Sequence, residues 1–243
     1  MKICAAQLRP VAGDVTMNTA KHLEFIKLAV AQQADVVFFP ELSLTGFEPR
    51  LASSLAVELA DQQFHVFQEL SDQHRILIGV GMPIAVKAGV QIGMVWFTPS
   101  KARQLYAKQQ LHIDEIPYFI PGDEQLVLER GGMLLAPAIC YESLQIDHAD
   151  KAVALAAEVY LASVAKPANG IARGAVHYPD VARRHTMPVI MANCIGPCDN
   201  FISVGQSAAW NNQGELLAQM DSESEGVVIL DTQSESASVI GIA

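Results

Sequence analysis

The chain has 243 residues, 51% of them hydrophobic and 17% charged, a balance that supports a large core and excludes a disordered chain. Sixteen Lys and Arg against 26 Asp and Glu leave a net charge of −10, the wrong sign for a protein that grips duplex phosphates or an anionic membrane surface. No stretch reaches the roughly 20 continuous apolar residues that a membrane-crossing helix needs.

The opening MKICAAQLRPVAGD has an apolar run that Arg9 and Pro10 end, too short for a secretory signal. The expectation is a cytoplasmic protein with reduced thiols and no paired cysteine motif for zinc; even the near pair Cys194 and Cys198 lacks the spacing. No linker or repeat divides residues 1–243, which read as a single domain. Residues 3–8 form the first expected strand, and Leu23, Ile26 and Val30 share one face of an expected helix over 16–34. The apolar run 36–39, stopped by Pro40, reads as a buried strand. A loop over 41–50 and a helix over 53–74 follow, the latter with Leu55, Leu59, Val66 and Leu70 on its inner stripe.

Residues 76–81, 90–98 and 103–107 then read as hairpin-linked strands, followed by a long loop over 108–124. Strand 133–139 ends at Cys140. A helix over 147–158, strand 159–164, a helix over 178–185 and strand 189–193 come next, and strands over 201–210, 215–220 and 226–231 close the chain. Buried strands covered by helices, with hairpins between them, predict a four-layer α-β-β-α sandwich of two mixed sheets. An eightfold barrel would alternate strand and helix strictly, and the run 76–107 breaks that alternation.

Three residues stand where predicted strands end. Cys140 follows the apolar run LLAPAI, at the lip where open α/β sheets bind ligands. A free thiol, with a pKa of about 8.5, is only a few per cent thiolate at pH 7, so a nucleophilic role requires a base or a cation nearby. Glu41 ends VVFFP and Lys108 ends RQLYA in the same manner. Separately, each reads as an inert core thiol, a solvated acid and a surface lysine. Together they compose a site for attack on an amide or nitrile carbon. Glu41 takes the thiol proton and returns it to the leaving group, while Lys108 and the Tyr141 N–H face the developing oxyanion. His112, His177 and His185 offer a competing Cys–His pairing.

The segments FFPELSLTGF, YAKQQLHIDE and APAICYES, in that order, resemble the three signatures of the nitrilase superfamily, the carbon–nitrogen hydrolases. The resemblance implies the αββα fold and a Glu–Lys–Cys triad carried by Glu41, Lys108 and Cys140. It also implies a second acid after the lysine, which falls on Glu115 or on its neighbour Asp114, and assembly as a homodimer or larger homo-oligomer. Where many members carry Trp-Asp or Tyr-Asp after the nucleophile, this chain carries Tyr141-Glu142, and VARRHTMPVIMAN lacks the family's late Glu-Asn.

The expected activity is thiol-dependent hydrolysis of a small amide without cofactor or metal. Acyl transfer and nitrile hydrolysis on the same site, and an idle binding protein with this fold, are the alternatives. The loops 41–50, 108–123, 165–173 and 194–201 are expected to rim the pocket, with Phe47, Tyr118 and Phe119 as apolar lining. Arg173 is either a clamp for a substrate carboxylate or a solvated side chain.

Overall fold

The computed structural model describes residues 1–242. In chain order its first half holds β1 (Lys2–Gln7), α1 (Val15–Ala31), β2 (Val36–Phe38), α2 (Ala52–Leu55), α3 (His65–His74), β3 (Leu77–Val86), β4 (Gly89–Phe97) and β5 (Gln104–Ala107). Then come β6 (Leu128–Arg130), β7 (Met133–Ile139), α4 (Ile146–Ala154), β8 (Val159–Val164), α5 (Ala168–His185) and β9 (Val189–Asn193). The last stretch is all strand: β10 (Ile195–Cys198), β11 (Phe201–Val204), β12 (Ala208–Trp210), β13 (Leu216–Gln219), β14 (Gly226–Asp231) and β15 (Ser236–Gly241).

The strands form a seven-stranded sheet, β15-β14-β1-β2-β3-β4-β5, and a six-stranded sheet, β13-β12-β9-β8-β7-β6, with β10 and β11 as a separate hairpin. Each large sheet has a parallel centre, β1-β2-β3 in one and β7-β8-β9 in the other. Antiparallel strands flank both centres. Alternation along the strands builds the layers. Ile3 and Ala5 of β1 join Val159, Leu161 and Ile190 in the core between the sheets. Cys4 and Ala6 point the other way, to Phe25 and Ile26 of α1 and Phe67 of α3. The outer face of the second sheet packs Ala162 and Met191 against Ala149 of α4 and Tyr178 and Val181 of α5. The arrangement is the expected αββα sandwich.

Several expected elements differ. The helix expected over 53–74 is broken, because Val57 is captured as a parallel bridge beside Ile84, its carbonyl accepting from the Ala85 N–H at 2.9 Å. Asp61 restarts the helical path by accepting from the Gln63 N–H at 2.8 Å. Helix α5 starts ten residues before the expected 178. The expected loop 194–201 contains β10, the expected strand 201–210 is two strands, and β6 and β15 were not foreseen.

Candidate active site

The parallel strands of both sheets deliver their C-terminal ends to one place. After β2, Pro40 stops the ladder and the chain turns sharply, with Leu42 in the left-handed region (φ 51°) and the Leu44 N–H bonded to the Gly81 carbonyl at 3.0 Å. Gly81 is required there: a Cβ on it would lie 2.4 Å from the Leu42 nitrogen. The turn places Glu41, 1% exposed, inside the protein. Lys108 follows β5 and is fully buried, its backbone tied to Ile92 and Gly122. Its ammonium donates to Glu41 Oε1 at 2.8 Å and to Glu115 Oε1 at 2.6 Å. The other oxygen of Glu115 accepts from the His112 N–H at 2.8 Å, which folds the loop back over the lysine. The Asp114 side chain is 72% exposed, so Glu115 is the acid that meets Lys108.

Cys140 sits just beyond β7 with φ 48°, a left-handed conformation that costs energy for a residue with a side chain. Its N–H continues the ladder to the Ser163 carbonyl at 3.0 Å, and its own carbonyl accepts from Ser143 Oγ at 2.6 Å. Tyr141 heads the short turn Glu142–Leu144, so its N–H is one that the turn leaves without an internal acceptor. The sulfur opens onto a cavity of about 560 Å³ whose lining includes Phe47, His112, Glu115, Lys166, Arg173 and Phe201.

All four expected loops contribute to that cavity, and so do Tyr141 and the exposed Arg173 of α5. Two expected lining residues do not: Phe119 is packed in the core between the sheets, and Tyr118 projects outward. His112 and His177 reach the cavity wall, but among the described residues the sulfur's hydrogen-bond partners are Ala165 O at 3.5 Å and Lys166 Nζ at 3.8 Å. His185 lies elsewhere, against Asp150.

Burial pushes the Glu41 carboxyl up to about 7, with Lys108 holding it down and Glu115 raising it further. Burial also pushes the Cys140 thiol up to about 11, and Glu41 adds to the rise. Burial alone would lower Lys108, but the two carboxylates outweigh it and hold the ammonium well above lysine's ordinary value. The resting site is therefore a neutral thiol beside a carboxyl poised near neutrality. Glu41 Oε2 is buried with no hydrogen-bond partner among the described residues, as a proton acceptor in waiting would be.

Two residues of this constellation lie outside the expected site set. Glu142 is fully buried and accepts from the N–H groups of Ile139 (2.8 Å), Gln109 (2.7 Å) and Gln110 (3.1 Å) and from Tyr106 Oη (2.6 Å). It ties the end of β7 to the loop that Lys108 begins. Lys166 comes two residues after β8. The end of that apolar strand was its signal in the sequence, the same signal that singled out Lys108.

Residues 2–240 match the family model for carbon-nitrogen hydrolases. The chain belongs to that family of enzymes. Among curated proteins it is 27% identical over 246 residues to the glutamine-dependent NAD(+) synthetase of Acinetobacter baylyi, covering 92% of this chain and 42% of that one. The synthetase of Aquifex aeolicus is 23% identical, with 94% and 41% covered. The chain thus spans less than half the length of these curated relatives. Among solved structures, the NitN amidase of Nesterenkonia sp. AN1 superposes with a TM-score of 0.87 at 21% identity, covering 95% of this chain and 92% of the amidase. A cysteine-to-alanine mutant of that amidase, in complex with butyramide, gives a TM-score of 0.88 at 21% identity, with 97% and 92% covered. These structures share the fold of this carbon-nitrogen hydrolase.

Proposed function

We propose that the protein hydrolyses the C–N bond of a small, non-peptide amide through a thioester on Cys140. The observation that carries this reading is the buried Glu41–Lys108–Glu115 cluster standing behind a thiol that opens onto a cavity of about 560 Å³. Glu41 accepts the S–H proton as the sulfur attacks the carbonyl carbon. Lys108 and the Tyr141 N–H stabilise the oxyanion, which collapses as the C–N bond breaks. The proton on Glu41 leaves with ammonia or amine. Water then attacks the thioester, giving up a proton to Glu41. The C–S bond breaks, the carboxylic acid departs and the thiol is restored.

Glu115 positions Lys108 through its short hydrogen bond, and Arg173 and Tyr141 orient the substrate in the outer cavity. The relatives' glutamine dependence and the amidase's butyramide complex make glutamine and short aliphatic amides the first compounds to test. The test is a panel of amides with hydroxylamine, which diverts a thioester to a coloured hydroxamate. The protein is expected to form hydroxamate with at least one amide, and Glu41→Gln to lower turnover by about 10²–10⁴. Full turnover in Glu41→Gln would remove the carboxylate from proton transfer.

A further inference from the structure

Lys166 is 4% exposed, and its backbone is pinned on both sides. The N–H donates to Asn193 Oδ1 at 2.8 Å, and the carbonyl accepts from Ser203 Oγ at 3.1 Å and the Val204 N–H at 3.2 Å. Its stem lies over Gly170, where a Cβ would come within 3.1 Å of the Lys166 Cβ. This fixes where the ammonium can go. It donates to the Cys140 carbonyl at 3.1 Å and stands 3.8 Å from the Cys140 sulfur. Among the described residues, no carboxylate lies within ion-pair distance of it, whereas Lys108 holds two. A buried ammonium without a carboxylate is costly unless some other anion visits it. The atom that becomes an anion here is the sulfur.

Charge counting supports the same assignment. With the thiol neutral, Glu41 and Glu115 balance Lys108 and Lys166. Moving the S–H proton to Glu41 leaves that sum unchanged, with the thiolate facing two ammoniums. Without Lys166 the same transfer takes place in a pocket one charge more negative, where the thiolate and the Glu115 carboxylate share Lys108 alone. Burial lowers Lys166, Cys140 and Glu41 pull it back up, and Lys108 and Arg173 of α5 push it down, while His177 of the same helix feels Lys166 in turn and the Tyr178 hydroxyl bonds Ser143 Oγ at 2.8 Å. These α5 groups lie farther out or are neutral, so the nearest cation to the sulfur on this side is Lys166.

We propose that Lys166 is a catalytic residue, a second cation that stabilises the Cys140 thiolate when Glu41 takes its proton. The proposal rests on the thioester reading above. It separates two duties: Lys108 bridges the carboxylates and faces the oxyanion, and Lys166 holds the sulfur. The pull on the thiol is in the same sense, with Lys166 and Lys108 both lowering it against burial and Glu41.

The experiment follows alkylation of Cys140 by mass spectrometry from pH 5 to 10, with neutral iodoacetamide and anionic iodoacetate. It compares the native protein with Lys166→Gln, Lys166→Met and Lys166→Arg, uses Cys140→Ala as the blank, and measures amide turnover in parallel. Lys166→Gln keeps a donor for the Cys140 carbonyl but loses the charge. The prediction is about tenfold slower iodoacetamide labelling at pH 7 in the Gln and Met variants, as a thiol about one pH unit harder to ionise gives. Their iodoacetate-to-iodoacetamide rate ratio falls as well, and Lys166→Arg retains native behaviour in both respects. The ratio compares two reagents on one sample, so partial unfolding does not imitate its loss. A Gln variant with the native labelling rate and ratio makes Lys166 a structural tie for the elbow and overturns the proposal alone. A native Cys140 that resists both reagents, or amide turnover that persists in Cys140→Ala, overturns the thioester reading and this proposal with it.

Discussion

A buried lysine held by two carboxylates makes Lys108 the residue on which the charge state of the site turns. Removing it as Lys108→Met leaves Glu41 and Glu115 facing each other in low dielectric, so the Glu41 carboxyl moves further above the ordinary glutamate value. A carboxyl whose folded pKa is raised contributes most below its unfolded value of about 4.3 and loses that contribution as pH rises through the folded pKa. The deficit of Lys108→Met is therefore expected to be small near pH 5 and to grow to about 3–5 kcal/mol by pH 8. Urea denaturation at the two pH values measures it, and an equal deficit at both would show that the pair contributes packing rather than charge. The strand-end positions of Glu41, Lys108 and Cys140 were legible in the sequence, and the roles expected of them came from the family resemblance. Lys166 lies two residues beyond β8, inside the loop 165–173 expected to rim the pocket, and nothing near it in sequence suggests a role.

At the level of elements, the working parts are loops held rigid by groups that have no part in the chemistry. Glu142 is the clearest, with one carboxylate oxygen serving Ile139 and Tyr106 and the other serving Gln109 and Gln110. In Glu142→Gln an NH₂ must face backbone N–H donors on one side, leaving buried donors without acceptors. The expected loss is about 1–3 kcal/mol of stability together with reduced turnover, read by thermal unfolding and by the hydroxamate assay. Undiminished turnover would detach Glu142 from the Lys108 loop. The central strands were readable from their continuous apolar runs, and 159–164, 189–193 and 226–231 match to the residue. The first half of α5 was hidden by Gly170 and Gly174, residues that weaken a helix in isolation. Here Gly174 makes room for the Tyr178 ring, which a Cβ would meet at 2.8 Å. The edge strand β15 has the half-exposed sequence SASVIG, too polar to stand out from a loop.

Across the whole molecule, two parallel three-stranded centres converge on one cavity, and neutral histidines lock the layers around it. His22 of α1 accepts from or donates to Ser43 Oγ at 2.9 Å, bonds the Asn18 carbonyl at 2.6 Å and stacks on Phe39 with ring centres 4.0 Å apart. His148 of α4 lies between Tyr106 Oη and Tyr160 Oη, both at 2.7 Å. Burial lowers His22 to about 3 and His148 to about 4. A base whose folded pKa is depressed contributes stability above its unfolded value, and this is lost as pH falls through the window from about 6.5 downward. Each histidine costs about 1.4 kcal/mol per pH unit there, while the raised carboxyl of Glu41 opposes with a similar slope between about 7 and 4.3. The net expectation is a loss of stability on acidification from pH 6.5 to about 4, flattened in His22→Gln. Urea midpoints across that range measure it, and a variant with the native slope would mean that His22 is protonated in the folded protein.

The αββα layering followed from apolar runs and hairpin spacing. The meeting of Glu41, Lys108 and Glu115 depends on distances no spacing rule supplies, and burial sets Glu115, the expected candidate, at Lys108 while Asp114 faces outward. Acid-quenched mass spectrometry of the protein mixed with a turned-over amide tests the central claim most directly. The account predicts a mass increase equal to the amide less ammonia or its amine, located on Cys140 and absent from Cys140→Ala. Steady turnover with no adduct at any quench time, and none diverted by hydroxylamine, would contradict it.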